Sequence, residues 1–380
     1  MRRTIYTDEH EQFRTLIRSL VQSEVVPHYP DWEAAGAVPK SFYRRLGELG
    51  VLGIRVPEEY GGAGVTDLRF SAVIAEELAR AAVGFGGVRV HTDIVLPYLL
   101  DCASPDQLAR YLPGFVSGET MTSIAITEPG TGSDMASIRT SARREGDTYV
   151  LNGAKTFITG GANSDLFLVV CRTSRAEGDR RGGLSILLVE ADSPGFAVGR
   201  MLRKVGLHAQ DTVELSFTDV AVPAANLLGE EGRAFEYLTG NLAQERLSIA
   251  FAACAAAEAA IEVTRRYVSE RRVFGEPLSD FQNTKFVLAD CHAETSAARA
   301  LVDRCLASDA DGDLTPVEAA TAKLFCTEVQ GRVVDRCVQL HGGYGYMVEY
   351  PIARLYADAR VSRIYGGTSE VMRSVIAKAL

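Results

Sequence analysis

The sequence has few of the residues that build metal sites and disulfide frameworks. Among its 380 residues are seven cysteines and six histidines. They are dispersed along the chain, with neither a Cys-x-x-Cys nor a His-x-x-x-His pair. An odd number of cysteines scattered through apolar segments is typical of reduced, buried thiols. We therefore expect neither a bound metal nor a disulfide framework.

Positive charge and long apolar runs are scarce as well. The 40 Lys and Arg residues are outnumbered by 49 Asp and Glu residues, which gives a formal net charge of −9 at pH 7. Because nucleic-acid binding favours a basic surface, this balance argues against a nucleic-acid partner. We find no apolar run of the roughly 18 residues that cross a membrane, and no secretory or transit pattern in residues 1–8. The expected protein is cytoplasmic and has no membrane partner.

Two common catalytic signatures are also missing. No strand pattern is followed by Gly-x-Gly-x-x-Gly at the start of a helix, so a Rossmann dinucleotide site is not supported. No Gly-x-Ser-x-Gly motif is present, so the usual mark of one class of serine hydrolase is lacking.

The hydrophobic pattern divides the chain into helical, β and helical parts. Apolar residues recur at helical spacing between Thr7 and about Gly118. Short alternating or β-branched runs follow, and Asn152-Gly153 between two of them predicts a two-residue hairpin turn. Long Ala- and Leu-rich helical patterns fill the rest. The predicted fold class is α+β, with a helical domain, a β domain and a second helical domain at residues 1–120, 121–231 and 232–380.

A glycine-rich, hydroxyl-bearing turn follows an apolar run at Ser123–Asp134. Glycine lets the main chain approach a ligand closely, and the freed N–H groups and hydroxyls suit a flat polar ligand or a phosphate. The same residues are also compatible with an ordinary surface turn.

Glu245 lies in the apolar stripe of a predicted helix, three residues after Leu242 and four before Ile249. A carboxylate at such a position points inward. It then either pairs with an arginine on another helix, or keeps a raised pKa that prepares it to act as a general base. Periodicity alone leaves both interpretations open.

Four further motifs accompany the glycine-rich turn: Lys155–Thr159, Glu270–Gly275, Gln339–Tyr346 and Arg363–Glu370. In this order they resemble the acyl-CoA dehydrogenase family of flavoproteins over essentially the whole chain. The resemblance implies a helical N-terminal domain, a central antiparallel β-barrel-like domain, a C-terminal four-helix bundle and FAD as cofactor.

The resemblance also places the catalytic base. Most members of the family carry it in a Tyr-Glu-Gly-Thr motif, which here is Tyr365-Gly366-Gly367-Thr368 and lacks the glutamate. The isovaleryl and long-chain branches carry it in a Glu-Arg pair on an earlier helix, matched here by Glu245-Arg246. The implied reaction is α,β-dehydrogenation of an acyl thioester to the trans-2-enoyl product. Glu245 would remove the α-proton, and the β-hydrogen would leave as hydride to the flavin.

Gly366 would retain a catalytic part, because its backbone N–H can still donate to the thioester oxygen. The missing side chain would leave space for a short or branched acyl group. By the same resemblance, the substrate-binding residues are Ser133, Leu242, Arg246, Tyr365 and Gly366.

The resemblance implies that two separate parts of the chain hold FAD. Residues on the β domain would be Ile124, Ile126, Thr127, Gly132, Ser133, Phe157 and Thr159. Residues that reach FAD across a subunit interface would be Arg271, Phe274, Gln339, Gly342 and Gly343. Two further cofactor residues, Thr368 and Glu370, would lie at the start of the final helix. The protein would therefore be a homo-oligomer, either a dimer or a tetramer, and an electron-transfer flavoprotein would accept its electrons.

One departure from the family bears on the substrate carrier. Many members have an Asp that bonds the pantetheine arm two positions before the base, where this chain has Ala243. Both acyl-CoA and acyl-carrier-protein thioesters therefore stay open as substrates. The rival functions are a flavin mono-oxygenase or oxidase of the same fold and a catalytically silent acyl-binding relative.

Overall fold

The computed structural model describes residues 3–174 and 181–380, and its N-terminal part is helical. The helices are α1 (Asp8–Leu20), α2 (Tyr29–Ala35), α3 (Lys40–Glu48), α4 (Arg69–Ala81), α5 (Leu96–Cys102) and α6 (Pro105–Ser117). Wider π-helical turns at Val21–Val25 and Val90–Val95 extend α1 and precede α5. Local sequence explains individual ends: Ser104 caps α6 by accepting from the N–H of Gln107 at 3.2 Å, and Pro105 fills the first helical position.

The middle of the chain forms one twisted, mixed sheet. Its strands are β1 (Thr122–Ala125), β2 (Ser141–Glu145), β3 (Thr148–Thr159), β4 (Leu166–Arg172), β5 (Leu184–Glu190), β6 (Phe196–Met201), β7 (Thr212–Pro223) and β8 (Leu227–Leu228). They follow the order β6-β7-β3-β2-β4-β5-β8, and β1 pairs with β4. Most pairs are antiparallel, but β1 and β2 each run parallel to β4.

The predicted hairpin turn at Asn152-Gly153 is wrong. Both residues lie inside the continuous strand β3, where the pairing with β7 shifts register between Leu151 and Gly153. Gly153 has a φ of +147°, and a Cβ at this position would lie 2.6 Å from the hydroxyl oxygen of Thr140. The Asn-Gly pair therefore marks a β-bulge beside a close backbone contact, which requires glycine for the same conformational reason as a turn.

A second helical region completes the chain. It contains α7 (Ala234–Glu270), the short strands β9 (Arg272–Val273) and β10 (Glu276–Pro277), then α8 (Gln282–Ala310), α9 (Pro316–His341), α10 (Pro351–Ala359) and α11 (Ser369–Ala377). Its core is rich in small side chains, including Ala250, Ala253 and Ala257 of α7, which allow helices to pack closely.

By length and composition alone, α7 contains a window apolar enough to cross a membrane, although we expected no such run from the sequence. In the structure, 67% of that window is buried. The helix packs against α4, α8 and α9, so contacts within the protein account for its apolar character.

Candidate active site

Glu245 lies in the first third of α7, and its side chain is partly buried. It shares one face of this helix with Ile249, Ala252 and Ala256, at spacings of four, seven and eleven residues. A Cβ placed on Gly366 would lie 3.7 Å from its Oε1 atom. The structure thus brings together the two residues that the sequence predicted to be catalytic.

No Lys or Arg nitrogen of the described residues lies within 4.0 Å of the Glu245 carboxylate. Burial raises its pKa above the ordinary glutamate value, while the positive charges of Arg246, Arg89 and Lys323 oppose this shift from a greater distance. The alternative of a structural ion pair with an arginine on another helix is therefore not supported. The carboxylate has the environment of a general base.

The segment Tyr365–Thr368 is held beside Glu245 by the same cations. Lys323, which is fully buried in α9, donates to the backbone oxygen of Gly367 at 2.6 Å. Arg246 lies with its Nε atom 3.5 Å from the oxygen of Gly366. Both glycines have positive φ, at +61° and +94°, a conformation that costs other residues about 1–2 kcal/mol.

Ile249 occupies the space that the missing side chain at position 366 was expected to leave. A Cβ on Gly366 would lie only 2.3 Å from the Cδ1 atom of Ile249. The space beside Gly366 is therefore not empty, because the end of a neighbouring side chain from α7 fills it, and acceptance of a branched acyl group stays a prediction.

A cavity of about 200 Å³ lies beside α7. One wall is the face of α7 from Ile249 to Ala256, and another is the face of α4 from Ser71 to Leu78. Ile249 and Tyr365 belong to its lining and also adjoin the Glu245 region. A chain-like ligand in this cavity would therefore have one end beside the base.

The glycine-rich turn after β1 is fixed by a buried ion pair. Lys155 of β3 donates to Glu128 and to the backbone oxygen of Ile126, both at 2.9 Å. Glu128 also accepts from the backbone N–H groups of Arg139 and Thr140. The N–H of Thr156 donates to the oxygen of Thr127 at 2.9 Å, so the turn and β3 form one surface.

This surface is open in the way that a large planar ligand requires. Phe157 is 66% exposed and has a φ of +60°, a combination that is unusual for an aromatic residue. Gly132 and Ser133 are exposed on the adjacent turn, and a Cβ on Gly132 would meet no atom within 4 Å. Of the other residues predicted here, Ile124, Ile126, Thr127 and Thr159 are partly buried.

The other residues predicted to bind the cofactor lie elsewhere. Arg271 and Phe274 follow the far end of α7, and the helix rises about 37 Å between Glu245 and Glu270. Tyr267 connects this end with the second predicted segment, because its ring stacks on His341 at 4.2 Å. The guanidinium of Arg271 lies 5.6 Å from the ring of Tyr344.

The predicted cofactor residues near this end of α7 are all exposed to solvent. They are Arg271, Phe274, Gln339, Gly342 and Gly343. Thr368 instead caps α11 close to the base, by accepting from the N–H of Val371 at 3.3 Å, and Glu370 is exposed on the first turn of that helix. Leu242 is partly buried, one turn before Glu245.

Comparison with known proteins identifies the family. The acyl-CoA dehydrogenase N-terminal, middle and C-terminal domain models match residues 7–119, 123–220 and 232–380. The chain belongs to the acyl-CoA dehydrogenase family. It is therefore an FAD-dependent oxidoreductase.

Individual relatives cover almost the whole chain. The long-chain specific acyl-CoA dehydrogenase of Sus scrofa mitochondria is 44% identical over 99% of this chain and 87% of its own length. An acyl-CoA dehydrogenase structure from Geobacillus kaustophilus is 47% identical, with a TM-score of 0.95 over 98% of both chains. A structure described as an electron transferring flavoprotein of Acidaminococcus fermentans is 32% identical, with a TM-score of 0.93 over 100% of this chain and 99% of that one.

The residues of the β domain fit FAD. The exposed ring of Phe157 offers a face for an aromatic system, and the open turn at Gly132 and Ser133 offers backbone and hydroxyl groups for a phosphate. Sequence reasoning missed the residues that support this surface and the base, namely Glu128, Lys155, Lys323 and Arg89. Lys155 alone carried a local signal, as a charged residue within an otherwise alternating strand.

We expect the Lys155→Met substitution to loosen the glycine-rich turn. Removing one partner of a buried ion pair costs about 3–5 kcal/mol, because Glu128 loses its counter-charge and keeps only the backbone N–H groups of Arg139 and Thr140. Urea denaturation should show a lower free energy of unfolding for the variant. The ratio of flavin to protein absorbance after gel filtration should also fall.

Lys40→Met is the matched control, since Lys40 pairs with Asp165 where both side chains are about one-third exposed. Exposed pairs contribute no more than about 1 kcal/mol. Equal decreases in unfolding free energy and in bound flavin in the two variants would contradict the role of the Lys155–Glu128 pair in fixing the turn.

Proposed function

We propose that Glu245 removes the α-proton of an acyl thioester in an α,β-dehydrogenation that yields a trans-2-enoyl thioester. The observation that supports this role is a carboxylate in the interior, with a raised pKa and without an ion-pair partner among the described residues, beside the Tyr365–Thr368 segment. A raised pKa strengthens the tendency of such a carboxylate to accept a proton. FAD supplies the acceptor for the β-hydrogen when it is bound.

The backbone N–H of Gly366 is the proposed donor to the thioester oxygen. Within residues 3–174 and 181–380, this N–H has no hydrogen-bond acceptor. Lys323 and Arg246 contact the carbonyl oxygens of Gly367 and Gly366, so they restrain the segment that carries this N–H before a substrate binds. A preorganised donor stabilises the enolate-like oxygen that develops when the α-proton leaves.

The cavity beside α7 is the proposed site of the acyl group. Its lining begins next to the base and extends to Ala256, which is about 16 Å from Glu245 along the helix axis. This length suits an extended acyl chain, whereas Ile249 narrows the place where a branch near the α-carbon was expected. Coenzyme A is the proposed carrier, and acyl-carrier-protein thioesters are the alternative that Ala243 leaves open.

We further propose that two copies of the chain complete each FAD site. Two of the supporting residues, Arg271 and Phe274, follow the far end of α7, about 37 Å along the helix from Glu245. The whole group is exposed and so available to a second chain: Arg271, Phe274, Gln339, Gly342 and Gly343. An electron-transfer flavoprotein is the proposed electron acceptor, in keeping with the description of the Acidaminococcus structure. The carboxylate of Glu245 beside Gly366 favours this function over a mono-oxygenase or oxidase.

We expect Glu245→Gln to retain FAD and to slow anaerobic flavin bleaching by acyl-CoA about 10²–10⁴-fold, as is typical for loss of a general base. Stopped-flow absorbance measures the rate. Glu236→Gln is the control, because Glu236 lies on the same helix but is 62% exposed. A rate for Glu245→Gln that equals the control would exclude Glu245 as the base.

The pH dependence should report the cations around the base. Lys323 favours the ionised form of Glu245, so Lys323→Met should raise the pKa of Glu245 further and move the acidic limb of the bleaching rate to higher pH. Burial, followed by repulsion from Arg246, lowers the pKa of Lys323 itself to about 8.

The difference between the wild type and Lys323→Met should therefore be largest on the acidic side and narrow above about pH 8, where Lys323 loses its charge. Lys285→Met, at an exposed position of α8, controls for the loss of a lysine. An unmoved acidic limb in Lys323→Met would show that this cation does not act on the base.

The shared-site proposal is tested by substituting Arg271. Arg271→Ala should raise the FAD dissociation constant at least ~10-fold, because a charge-assisted hydrogen bond contributes about 1.5–3 kcal/mol. Arg265→Ala, at an exposed position of α7, should leave it unchanged. Light scattering should give a dimer or larger assembly, and a fully active, FAD-loaded monomer would contradict the proposal.

A further inference from the structure

Arg89 places a guanidinium in the lining of the cavity beside α7. Much of this lining is aliphatic, including Ile74, Leu78, Ile249 and Ala252. A hydrocarbon chain gains nothing from a charged, hydrogen-bonding group in such a place, and the group itself loses hydration. The presence of Arg89 therefore needs an explanation beyond the shape of the cavity.

Few acceptors are available to this side chain. Its Nη2 atom donates to the phenol oxygen of Tyr365 at 2.9 Å, and its guanidinium carbon lies 5.2 Å from the centre of the Tyr365 ring. No other acceptor for Arg89 is found among residues 3–174 and 181–380. Arginine has five N–H donors in a planar fork, so most of its hydrogen-bonding capacity is available to a ligand.

Asp93, one turn further along the chain, balances part of the positive charge of Arg89 without accepting a hydrogen bond from its guanidinium. It is 4% exposed and lines the same cavity. Its Oδ1 atom accepts from the hydroxyl groups of Ser71 at 2.8 Å and Thr92 at 3.1 Å, and no nitrogen of Arg89 lies within the 4.0 Å of an ion pair. Arg89 is thus compensated electrostatically but not saturated with hydrogen bonds.

Arg89 also acts on the base through its charge, since it helps to lower the pKa of Glu245 against the effect of burial. This role alone does not require a position in the cavity wall, because Arg246 and Lys323 already provide positive charge near the carboxylate. The two roles differ in a measurable way. A charge acting on the base affects every substrate equally, whereas a hydrogen-bond donor in the cavity distinguishes among acyl groups.

We propose that Arg89 selects an acyl group that carries a hydrogen-bond-accepting oxygen, as a hydroxyl or a carboxylate, over a plain hydrocarbon chain. This inference rests on the proposed function, because it assumes that the cavity beside Glu245 receives the acyl group. The forked donors of arginine suit oxygen acceptors, and a donor left unpaired by a hydrocarbon chain is costly. Arg89 is therefore assigned as a specificity-determining residue.

The test uses the FAD-loaded full-length protein and matched sets of CoA thioesters. Butanoyl-, hexanoyl- and octanoyl-CoA are each compared with the ω-hydroxy and ω-carboxy thioester of the same length. In the wild type, at least one oxygen-bearing thioester should exceed its hydrocarbon counterpart at least ~10-fold in kcat/KM, the factor that about 1.4 kcal/mol produces. The hydroxy and carboxy series show whether the preferred acceptor is neutral or anionic.

Arg89→Leu should remove or reverse this preference, because only the hydrocarbon chain then matches the cavity. In a Glu245→Gln background, the dissociation constants of the oxygen-bearing and hydrocarbon thioesters are compared in the same pairs. This comparison separates an effect on binding from an effect on proton transfer. Arg143→Leu is the matched control, since Arg143 is 76% exposed on β2 and should keep the wild-type ratios.

The outcomes separate this inference from the function on which it rests. Bleaching by hydrocarbon thioesters without any preference for oxygen would overturn the role of Arg89 and leave the dehydrogenase function intact. A uniform loss across all substrates in Arg89→Leu would also overturn it, in favour of a purely electrostatic action on Glu245. Failure of every thioester to bleach the flavin would overturn both.

Discussion

The interior carboxylate of Glu245 is the group on which the rest of the site depends. A carboxylate removed from water needs compensation, and here three cations provide it from a distance rather than through an ion pair. Contact with an arginine would have stabilised the ionised form and lowered its basicity. Because the three cations lie beyond ion-pair distance, they stabilise the ionised carboxylate while its proton affinity stays high. A base that acts near neutral pH needs both properties.

The same cations position the backbone that faces the base. Lys323 is tied to the oxygen of Gly367 and Arg246 lies near that of Gly366, while both also act on Glu245 through their charge. The two glycines allow the positive φ angles of this segment. A change in either cation would therefore affect the proton affinity of the base and the direction of the Gly366 N–H together.

Periodicity and motif order predicted the main features from the sequence. The inward direction of Glu245 followed from the apolar stripe around it, and the succession of helical and β regions followed from the change in hydrophobic period. Asn152-Gly153 was misinterpreted because a β-bulge and a hairpin turn can both place a glycine at positive φ, here Gly153. The two residues lie in one continuous strand, β3, which pairs with β7 through a register shift. The local sequence does not encode that pairing partner.

The residues missed by sequence reasoning have roles that exist only in the folded chain. Lys323 is separated from Gly367 by 44 positions, and Arg89 from Tyr365 by 276. Ile249 was noted as part of the apolar stripe, but its contact with Gly366 depends on how the last loop crosses α7. Lys155 and Glu128 lie in two different sequence motifs, and only the folded strands bring them into a buried pair.

Placing the base on α7 divides the proposed work between a rigid helix and a shaped loop. Proton transfer needs a side chain at a defined position, and a long helix packed along its length provides that better than a loop. Donation to the thioester oxygen needs only a backbone N–H, for which glycine at position 366 suffices. With Ile249 filling the space opposite that glycine, the proposed acyl site extends along α7. Arg89 stands in the wall of that route, which is why the chemistry of the acyl group, and not its length alone, should decide which substrate the protein accepts.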